Sequence, residues 1–396
     1  MEKRPLGNTG LEVSVVGFGA MTIGDRFGPV DDAESNRALH AAIDGGMNFI
    51  DTSNAYGEGR SENLIGKFLK ERPDRDDLIL CTKGGNNFVA LERGGWGRDF
   101  TPGFIGKCLE ESLGRLGVEA IGLYLLHNPK MEDMKAEDCY ALLDKARDDG
   151  KLKCWGVSVN TVEECDYAIE SGKATLLQME YNVLQQEEAG SFQRAKEAGV
   201  GVICRVALKR GFLSGKIDET VEFTEDDMRR RILTPERIRK FQGRLNRLRD
   251  VAGQLNITPA EAALRFCVSN RNISIVIPGI RTAEQASQNA RCGEALPIEA
   301  IKRLEEGRRK RCGPCRMPGL TRRPPAIVFG PTLWQHGFIP KKEGVNQWRT
   351  VSKTQRCKAT QWRFLSSSRK RPARIRGWFF VSIFPAIRES KRISSR

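Results

Sequence analysis

The sequence of 396 residues lacks the long apolar segments by which helical membrane proteins cross a bilayer. No run approaches the roughly 18 consecutive apolar residues that a transmembrane helix requires. The first residues, Met1–Gly7, also lack the apolar core of a secretory signal. We therefore predict a cytoplasmic protein that does not associate with membranes.

The sequence also lacks the pattern of a disulfide-stabilised protein. Its 11 cysteines are mostly isolated, and several, such as Cys81 and Cys204, lie within apolar runs, where cysteine behaves as a small buried hydrophobic residue. An odd number of cysteines without a signal peptide favours a reducing compartment over a disulfide framework.

Acidic residues are nearly missing from the C-terminal part of the chain. Residues 311–396 contain 20 Lys and Arg, two Glu and no Asp, whereas residues 1–310 contain 45 basic and 48 acidic residues. The net charge of +15 therefore comes from the C-terminal part. This abrupt change predicts one folded domain over residues 1–310 and a poorly ordered basic tail over residues 311–396.

Within residues 1–310, short apolar strands alternate with segments of helical periodicity. A small hairpin is predicted over residues 5–12, and eight strands are predicted at Val13–Met21, Met47–Thr52, Leu78–Lys83, Ile121–His127, Cys154–Val159, Leu176–Tyr181, Gly201–Ala207 and Ser274–Pro278. Helices are predicted over residues 32–45, 61–71, 102–116, 136–149, 161–171, 187–198 and 259–270, with an extra helix at 235–254. Eight such strand–helix units are typical of a (β/α)8 TIM barrel.

Three of these strands end in residues that suit proton transfer. The second strand reaches Asp51, the third Lys83 and the fourth His127, and Tyr56 follows the second strand. Catalytic residues of such barrels lie at the C-terminal ends of the strands. A nearby ammonium stabilises tyrosinate, so Lys83 would lower the pKa of Tyr56 from about 10 and Asp51 would keep the lysine charged. His127 would orient a carbonyl group or relay a proton.

Each of these residues also has an ordinary structural interpretation. Asp51 and Lys83 would form an ion pair at the strand ends, His127 would be a hydrogen-bonded core residue, and Tyr56 would serve packing. The convergence of all four at one face of a barrel favours the functional interpretation.

These residues lie in segments that resemble the aldo-keto reductase family, with closest similarity to its bacterial and potassium-channel β-subunit-like branch. The resemblance covers roughly residues 3–306. It depends on Asn48–Gly57 with Gly59-Arg60-Ser61-Glu62, on Gly85-Asn86-Asn87, on Cys108–Gly117, and on Leu126-His127-Asn128-Pro129.

The resemblance implies a TIM barrel that reduces aldehydes or ketones reversibly with NADP(H). Tyr56 would then be the general acid, tuned by Lys83 and Asp51, with His127 orienting a small-molecule carbonyl substrate. A second possibility is a slow or non-catalytic nucleotide-binding module that reports redox state to a partner, as in channel β-subunit-like relatives. The sequence indicates neither the particular substrate nor an oligomeric state. Phe27, Trp96 and Phe100 would line an apolar pocket or belong to the core.

A Rossmann dinucleotide motif is absent, because Thr22 stands where the third glycine of Gly17-Phe18-Gly19 would fall. The cofactor residues implied by the resemblance lie instead at the ends of the barrel strands. They are Met21, Thr22 and Asp51 at the nicotinamide end, Ser158 and Gln178 at the carboxamide, and Leu208, Gly211, Leu213, Gly215 and Lys216 in the loop over the pyrophosphate. Val159, Arg205 and Ala207 depart from the family pattern, since Arg205 and Ala207 replace the usual aromatic residue and proline.

The last strand is followed by a group of residues suited to the adenosine end of the cofactor. Gly279 permits close approach of the backbone to a phosphate, and a helix beginning at Thr282 offers free N–H groups to an anion. The planar fork of Arg281 suits a 2′-phosphate, and Gln285 and Asn289 share one helix face. Alternatively, this is a capped surface helix with a solvated arginine.

The tail contains one pair of neighbouring cysteines, Cys312 and Cys315, whose spacing occurs in redox pairs, zinc sites and iron–sulfur sites. It resembles a remnant of the cysteine cluster of some bacterial relatives, but only Cys357 follows it, so we predict no metal site. Lys and Arg interleaved with Trp and Phe are compatible with nucleic-acid binding, with disorder, or with an unselected sequence. We favour the last two interpretations and do not assign nucleic-acid binding.

Overall fold

The computed structural model describes residues 1–25, 27–87, 97–225 and 227–306. Its strands are β1 Lys3–Pro5, β2 Glu12–Ser14, β3 Phe18–Gly19, β4 Phe49–Asp51, β5 Ile79–Gly84, β6 Asn86–Asn87, β7 Gly97–Arg98, β8 Ile121–His127, β9 Leu152–Ser158, β10 Leu176–Glu180, β11 Gly201–Arg205 and β12 Ile275–Ile277. Its α-helices are α1 Asp32–Asp44, α2 Arg60–Glu71, α3 Pro102–Leu116, α4 Met131–Ala136, α5 Tyr140–Asp148, α6 Val162–Glu170, α7 Ala189–Glu197, α8 Pro235–Gln254, α9 Pro259–Ser269, α10 Ala283–Ala290 and α11 Ile298–Glu305.

Eight strands form one parallel sheet in the order β3, β4, β5, β8, β9, β10, β11, β12. The sheet's two outer strands meet each other, because Val16 bridges to Val276 and Gly19 bridges to Gly279. Backbone hydrogen bonds join these segments, including Gly17 N to Val276 O at 2.9 Å and Gly19 N to Pro278 O at 3.0 Å. The sheet thus curls into a barrel surrounded by helices, as the sequence predicts.

Alternation along the strands divides the core into two apolar layers. The inner layer fills the barrel and consists of Leu6, Val13, Phe49, Cys81, Leu123, Leu125, Cys154, Leu176, Ile203, Ile275 and Ile277. The outer layer joins the strands to the helices and includes Ile50, Leu80, Tyr124, Leu126, Val157 and Leu177. A residue two positions after the last inner-layer residue of a strand therefore also faces the barrel axis, at the C-terminal end of that strand.

The antiparallel pair β1–β2 and its turn carry two residues of the inner apolar layer, Leu6 directly after β1 and Val13 in β2. The Arg4 side chain holds this hairpin to the rest of the chain, since it donates to the carbonyls of Ile273 and Val268, both at 3.0 Å. Asn8 N donates to Gly199 O at 2.8 Å. The predicted hairpin is therefore present, with its paired strands flanking the predicted turn.

Three details differ from the sequence-based predictions. The first barrel strand is limited to Phe18–Gly19, because Val13 belongs to the hairpin and Ala20–Gly24 forms a 3-10 helix. The predicted helix 136–149 begins later than predicted, as α5 Tyr140–Asp148, because α4 ends at Ala136 and is followed by Glu137, a residue with a positive φ of 54°. Helices α4 and α11 and the short ribbon β6–β7 were not predicted.

No helix among the described residues is long and apolar enough to span a membrane. The eight cysteines in this part of the chain are free and buried. Phe100 belongs to the core, whereas Trp96, Cys312, Cys315 and the basic tail lie outside the described residues.

Candidate active site

The C-terminal ends of five neighbouring barrel strands carry polar residues in register with the inner apolar layer. Each lies two or four positions after an inner-layer residue: Asp51 after Phe49, Lys83 after Cys81, His127 after Leu125, Ser158 after Cys154, and Gln178 after Leu176. Side chains of a strand alternate between its two faces, so all five face the barrel axis. Asp51 and Lys83 belong to one hydrogen-bonded group and Ser158 and Gln178 to a second, whereas His127 bonds to Ser53 and Asn86.

The first group centres on the ammonium of Lys83, which is fully buried. Lys83 Nζ donates to Asp51 Oδ2 at 2.7 Å, to Thr52 O at 2.7 Å and to Tyr56 Oη at 3.2 Å. The three donor positions of the ammonium are thus used by three oxygens. The structure therefore brings Asp51, Lys83 and Tyr56 into direct contact.

The pKa of Tyr56 differs from the value that the sequence led us to expect. Burial raises this pKa above the ordinary value for tyrosine, and the ammonium of Lys83 opposes the rise without cancelling it. The expectation of a lowered pKa was therefore wrong for this structure, because the desolvation cost of tyrosinate outweighs its attraction to Lys83. Burial also disfavours the charge on Lys83, but the Asp51 carboxylate and Tyr56 raise the pKa of Lys83 overall. Tyr56 is thus a neutral phenol next to a permanent ammonium.

His127 faces Tyr56 across the pocket, with ring centroids 6.0 Å apart and ring planes at 90°. Ser53 Oγ and Asn86 Nδ2 both lie 2.9 Å from its Nδ1 atom. The amide nitrogen of Asn86 can only donate, so Nδ1 accepts and the ring proton resides on Nε2. The imidazole can therefore donate a hydrogen bond from Nε2.

Tyr56 is positioned by close packing against the segment that follows the first barrel strand. A Cβ atom on Gly24 would lie 2.6 Å from the Tyr56 carbonyl carbon, so only glycine fits there. The Arg60 guanidinium fixes the same segment by donating to Ile23 O at 2.8 Å and to Val30 O at 3.0 Å. The loop that carries Tyr56 is therefore held by the segment after the first barrel strand, and the Tyr56 phenol is held by its hydrogen bond from Lys83.

Ser158 and Gln178 form the second group and connect to the first through Asp51. Ser158 Oγ donates to Gln178 Oε1 at 3.1 Å, and Gln178 Nε2 donates to Asp51 Oδ1 at 2.7 Å. Both side chains are buried. A continuous chain of hydrogen bonds thus leads from Ser158 through Asp51 and Lys83 to Tyr56 Oη.

Met21 and Thr22 lie in the 3-10 helix Ala20–Gly24, directly after the first barrel strand. The Thr22 hydroxyl donates to the Ile280 carbonyl, and a Cβ atom on Gly279 would lie 2.9 Å from Thr22 Cγ2. Thr22 and Gly279 are therefore neighbours at the place where the barrel closes.

The Arg281 guanidinium is occupied by main-chain carbonyls. It donates to Phe27 O at 2.6 Å, Gly28 O at 3.4 Å and Pro29 O at 2.6 Å. In addition, Arg281 N donates to Gln285 Oε1 at 2.9 Å. Arg281 therefore anchors the segment 27–29 in this structure, a contact that the sequence did not suggest.

A carboxylate of the chain lies at the N-terminus of α10, the helix that follows Arg281. Glu34 Oε1 accepts from Ala283 N at 2.9 Å, and Thr282 caps the helix by accepting from Gln285 N at 3.2 Å. The Ala283 N–H and the Arg37 guanidinium together lower the pKa of Glu34. Asn289 is buried one turn beyond the exposed Gln285.

The segment after β11 has an irregular backbone that exposes polar groups at the barrel mouth. Val206, Lys209 and Arg210 have positive φ angles of 59°, 46° and 57°, which are unusual for residues with a side chain, above all for a β-branched one. Leu208 O accepts from Gly211 N at 3.0 Å and from Leu213 N at 3.1 Å, while Lys216 is exposed. This compact turn places Leu208, Gly211 and Lys216 on one short loop.

A cluster of charged residues lies at the ends of β10 and β11. Glu180 pairs with Lys209, and its carboxylate lies 4.0 Å from Arg205 Nη1. Arg205 Nη2 donates to Val159 O at 2.8 Å and to Asn160 Oδ1 at 2.9 Å. Burial would raise the pKa of Glu180, but Lys209, Arg205 and Arg210 lower it. The three cations outnumber the carboxylate of this cluster.

This donor set fits a nicotinamide dinucleotide. A diphosphate matches the cations of Lys209 and Arg210, and the buried amide and hydroxyl of Gln178 and Ser158 match a carboxamide. Arg205 Nε is buried and has no hydrogen-bond partner within the described part of the chain. No group of three potential metal ligands was found among the described residues.

Seven residues of this region were not predicted as site residues: Ser53, Asn86, Glu34, Glu180, Arg205, Lys209 and Arg210. Ser53 and Asn86 lie within the segments that carry the family resemblance, two residues after Asp51 and three residues after Lys83, so their proximity to predicted residues was the available signal. Arg205 was noticed only as a departure from the family pattern. Glu34 and Glu180 gave no signal, because a single Glu in a helix or at a strand end is common.

Comparison with known proteins gives a consistent result. The model of the Aldo/keto reductase family matches residues 15–308. The chain is 28% identical to "Aldo-keto reductase yakc [NADP(+)]" of Schizosaccharomyces pombe over 292 residues, covering 72% of this chain and 85% of the relative. It is 32% identical to "Aldo-keto reductase YhdN" of Bacillus subtilis over 231 residues, covering 58% of this chain and 69% of the relative.

Solved structures of aldo-keto reductases share the fold. The glycerol dehydrogenase AKR11B4 of Gluconobacter oxydans aligns with a TM-score of 0.67 at 28% identity, covering 76% of this chain and 94% of that one. The holo form of the aldo-keto reductase AKR11C1 of Bacillus halodurans aligns with a TM-score of 0.65 at 27% identity, covering 77% and 95%.

Proposed function

The chain belongs to the aldo/keto reductase family, and from this premise we propose that it reduces aldehydes or ketones with NADP(H), using Tyr56 as general acid. The family itself supports reduction of small-molecule carbonyl compounds with a nicotinamide cofactor. The proposal adds the roles of particular residues and the preference for NADP(H).

The observation that carries the proposal is the contact of Lys83 Nζ with both Tyr56 Oη, at 3.2 Å, and Asp51 Oδ2, at 2.7 Å. A phenol can act as an acid at neutral pH only if the tyrosinate that it becomes is stabilised. The buried ammonium provides this stabilisation, and Asp51 keeps the ammonium charged by pairing with it. If the Asp51–Lys83 ion pair had only a structural role, a third contact of Lys83 with the Tyr56 phenol would not be required.

The reaction requires a hydride and a proton. The nicotinamide cofactor, when bound, supplies the hydride for the carbonyl carbon. Tyr56 Oη gives its proton to the carbonyl oxygen while that oxygen gains negative charge. His127, with its proton on Nε2, donates a hydrogen bond to the same oxygen and so orients the carbonyl group. Tyr56 is half-buried, so water can return the proton afterwards.

The remaining residues would bind the cofactor. Ser158 and Gln178 suit the carboxamide, and Met21, Thr22 and Asp51 would lie next to the nicotinamide end. Leu208, Gly211 and Lys216 suit the pyrophosphate, and Gly279, Arg281, Gln285 and Asn289 suit the adenosine. The preference for NADP(H) draws support from Arg281 and from the name of the Schizosaccharomyces pombe relative, which includes NADP(+). For Arg281 to bind a 2′-phosphate, its guanidinium must release carbonyls of the segment 27–29.

The free, buried cysteines of the described chain support a cytoplasmic location, which remains part of the proposal. No membrane partner is proposed, and the oligomeric state forms no part of the proposal.

The test is NADPH oxidation by the full chain with a panel of aldehydes, compared between the wild type and Tyr56→Phe. We expect the variant to lose about 100-fold to 10,000-fold in turnover, the usual contribution of a general acid, while it binds NADPH with unchanged affinity. Tyr167→Phe is the matched control, because Tyr167 is also half-buried but lies on α6, away from the site.

Two results would contradict the proposal. Full turnover by Tyr56→Phe would show that another group donates the proton. A folded wild type that binds NADPH but oxidises none with any aldehyde would favour the slow nucleotide-binding module instead.

A further inference from the structure

Arg205 places a positive charge at the end of the pocket where the nicotinamide ring would lie. We propose that Arg205 makes the site discriminate between the two oxidation states of the cofactor, so that the reduced nucleotide binds more tightly than the oxidised one. This inference rests on the proposed function. It concerns binding, and it can fail while the reductase activity stands.

The position of Arg205 follows from the strand register. Arg205 is two residues after Ile203, a member of the inner apolar layer, and its Cα pairs with those of Glu180 and Ile277 on the neighbouring strands. Alternation therefore directs its side chain toward the barrel axis. It is the last residue of β11, at the same end of the barrel as Asp51, Lys83 and His127.

The guanidinium extends from β11 past β10 to the end of β9. Its Nη2 atom donates to Val159 O at 2.8 Å and to Asn160 Oδ1 at 2.9 Å, and these residues directly follow Ser158. Since Gln178 lies on the strand between, the charge of Arg205 lies next to the Ser158–Gln178 pair. That pair is where the carboxamide of the nicotinamide would bind.

The charge of Arg205 is not cancelled by its surroundings. Glu180, the carboxylate nearest to it in the cluster, lies 4.0 Å away and is in closer contact with Lys209. Arg210 adds a further cation, which also acts on Glu180. Asp51 is neutralised by Lys83. The positive charge of Arg205 also works against the rise in the pKa of Tyr56, so its field extends to the catalytic phenol.

The oxidised and reduced cofactors differ by one positive charge, which the oxidised nicotinamide ring carries and the reduced ring lacks. Their phosphates are the same, so attraction of the cations to the phosphates does not distinguish them. A residual positive charge beside the ring opposes the oxidised form selectively, and it does so more strongly in a pocket shielded from water. An uncharged aromatic residue, as the family resemblance leads one to expect here, would exert no such effect.

Discrimination of this kind has a direct consequence for the reaction. After reduction of the carbonyl compound, the oxidised nucleotide would be bound more weakly than the reduced one. Inhibition by this product would therefore be weak. The site would also stay occupied by the reduced nucleotide at a lower ratio of reduced to oxidised nucleotide than a site that binds both forms equally.

The experiment measures the dissociation constants of NADPH and NADP⁺ separately, with the full-length protein at fixed pH and ionic strength. We expect NADP⁺ to bind about tenfold more weakly than NADPH to the wild type, the scale of one partly screened charge pair. In Arg205→Met the two constants should agree within about threefold, mainly because NADP⁺ binds more tightly.

Two further variants separate charge from structure. Arg205→Lys keeps the charge but loses the planar fork, so it should retain most of the discrimination even if both nucleotides bind less tightly. Arg75→Met removes an exposed cation that precedes β5, at the opposite end of the barrel from Arg205, and should leave the ratio unchanged.

Equal affinity of the wild type for both nucleotides would overturn the inference, as would an equal loss of both affinities in Arg205→Met. Loss of discrimination in Arg205→Lys would also overturn it, because the fork and not the charge would then be responsible. Failure to bind either nucleotide would overturn the proposed function as well. A protein that turns over aldehydes but has equal dissociation constants for NADPH and NADP⁺ would overturn this inference alone.

Discussion

Lys83 Nζ donates a hydrogen bond to Tyr56 Oη over 3.2 Å in the interior of the barrel mouth. Burial raises the pKa of the phenol, and the ammonium moderates that rise. The pKa of Lys83 is itself raised, because its attraction to Asp51 and Tyr56 exceeds the cost of burial. At neutral pH the pair is therefore a neutral phenol and a charged ammonium, the state required for proton donation.

The raised pKa of Tyr56 predicts opposite pH dependences for the two directions of the reaction. Carbonyl reduction requires the phenol, which persists up to and beyond the ordinary tyrosine pKa of about 10, so its rate should be constant from pH 6 to about 9. Alcohol oxidation requires tyrosinate as a base and should rise with pH throughout this range. Steady-state rates in both directions measure this, and a reduction rate that falls between pH 7 and 9 would contradict it.

Removal of the ammonium should weaken the acid. In Lys83→Met, tyrosinate loses its nearest cation, so turnover should fall by about 100-fold or more and the rise of alcohol oxidation should move to higher pH. The control is Lys70→Met, since Lys70 is an exposed lysine of α2. If Lys83→Met lowered turnover without moving the pH profile, Lys83 would act by positioning alone.

The Asp51–Lys83 pair should also contribute to stability in a manner that a double-mutant cycle can reveal. Both side chains are almost completely buried, so Lys83→Met leaves an unpaired carboxylate and should lower the free energy of unfolding by about 3–5 kcal/mol. Asp51→Asn combined with Lys83→Met should cost less than the sum of the two single changes.

The exposed pair Lys107–Glu111, 3.7 Å apart on α3, is the control for this cycle. Changes to these residues should have little effect on unfolding by denaturant, because exposed ion pairs contribute little. Additive effects at Asp51 and Lys83 would mean that the two groups do not interact as the geometry indicates.

Glu34 should reduce the affinity for a 2′-phosphate. Its carboxylate accepts from Ala283 N at the start of α10, where the N–H groups and the helix dipole would otherwise favour an added anion. Glu34→Gln should therefore tighten binding of 2′,5′-ADP by about two- to fivefold and leave binding of 5′-AMP unchanged.

Isothermal titration with both nucleotides checks this prediction. Glu236→Gln, an exposed glutamate in the first turn of α8, controls for the change in net charge. Equal tightening of both nucleotides by Glu34→Gln would show that the effect is not directed at the phosphate.

The fold was largely predictable because its signals are local. Alternation along the strands gave the barrel, and the helices predicted to start at residues 102 and 259 begin there, at Pro102 and Pro259. The start of the predicted helix 136–149 was placed too early, because the backbone turn at Glu137 that separates α4 from α5 involves a residue without special conformational preference. The end of β8 at His127 was predicted correctly, since the apolar run stops there.

The positions of site residues were predictable where these residues lie at the ends of strands. They were not predictable where the hydrogen-bond partners come from loops that are distant in sequence. The contact of Asp51 with Lys83 follows from neighbouring parallel strands. The bonds of Arg281 to the carbonyls of Phe27 and Pro29 join residues about 250 positions apart, and no local pattern reports them. The direction of the pKa shift of Tyr56 was missed for a similar reason, since burial is a property of the assembled fold.

The closure of the barrel has a consequence for its assembly during synthesis. Val16 and Gly19 find their partners at Val276 and Gly279, so one edge of the first barrel strand stays unpaired until about 260 further residues have been made. At roughly 5–20 residues per second this takes about 13–52 s. Open strand edges can pair with strands of other chains. During most of its synthesis the nascent chain therefore has a strand edge that can take part in aggregation. Slow synthesis or a ribosome pause before Val276 should therefore increase aggregation, whereas chaperones that shield the emerging N-terminal strands should reduce it.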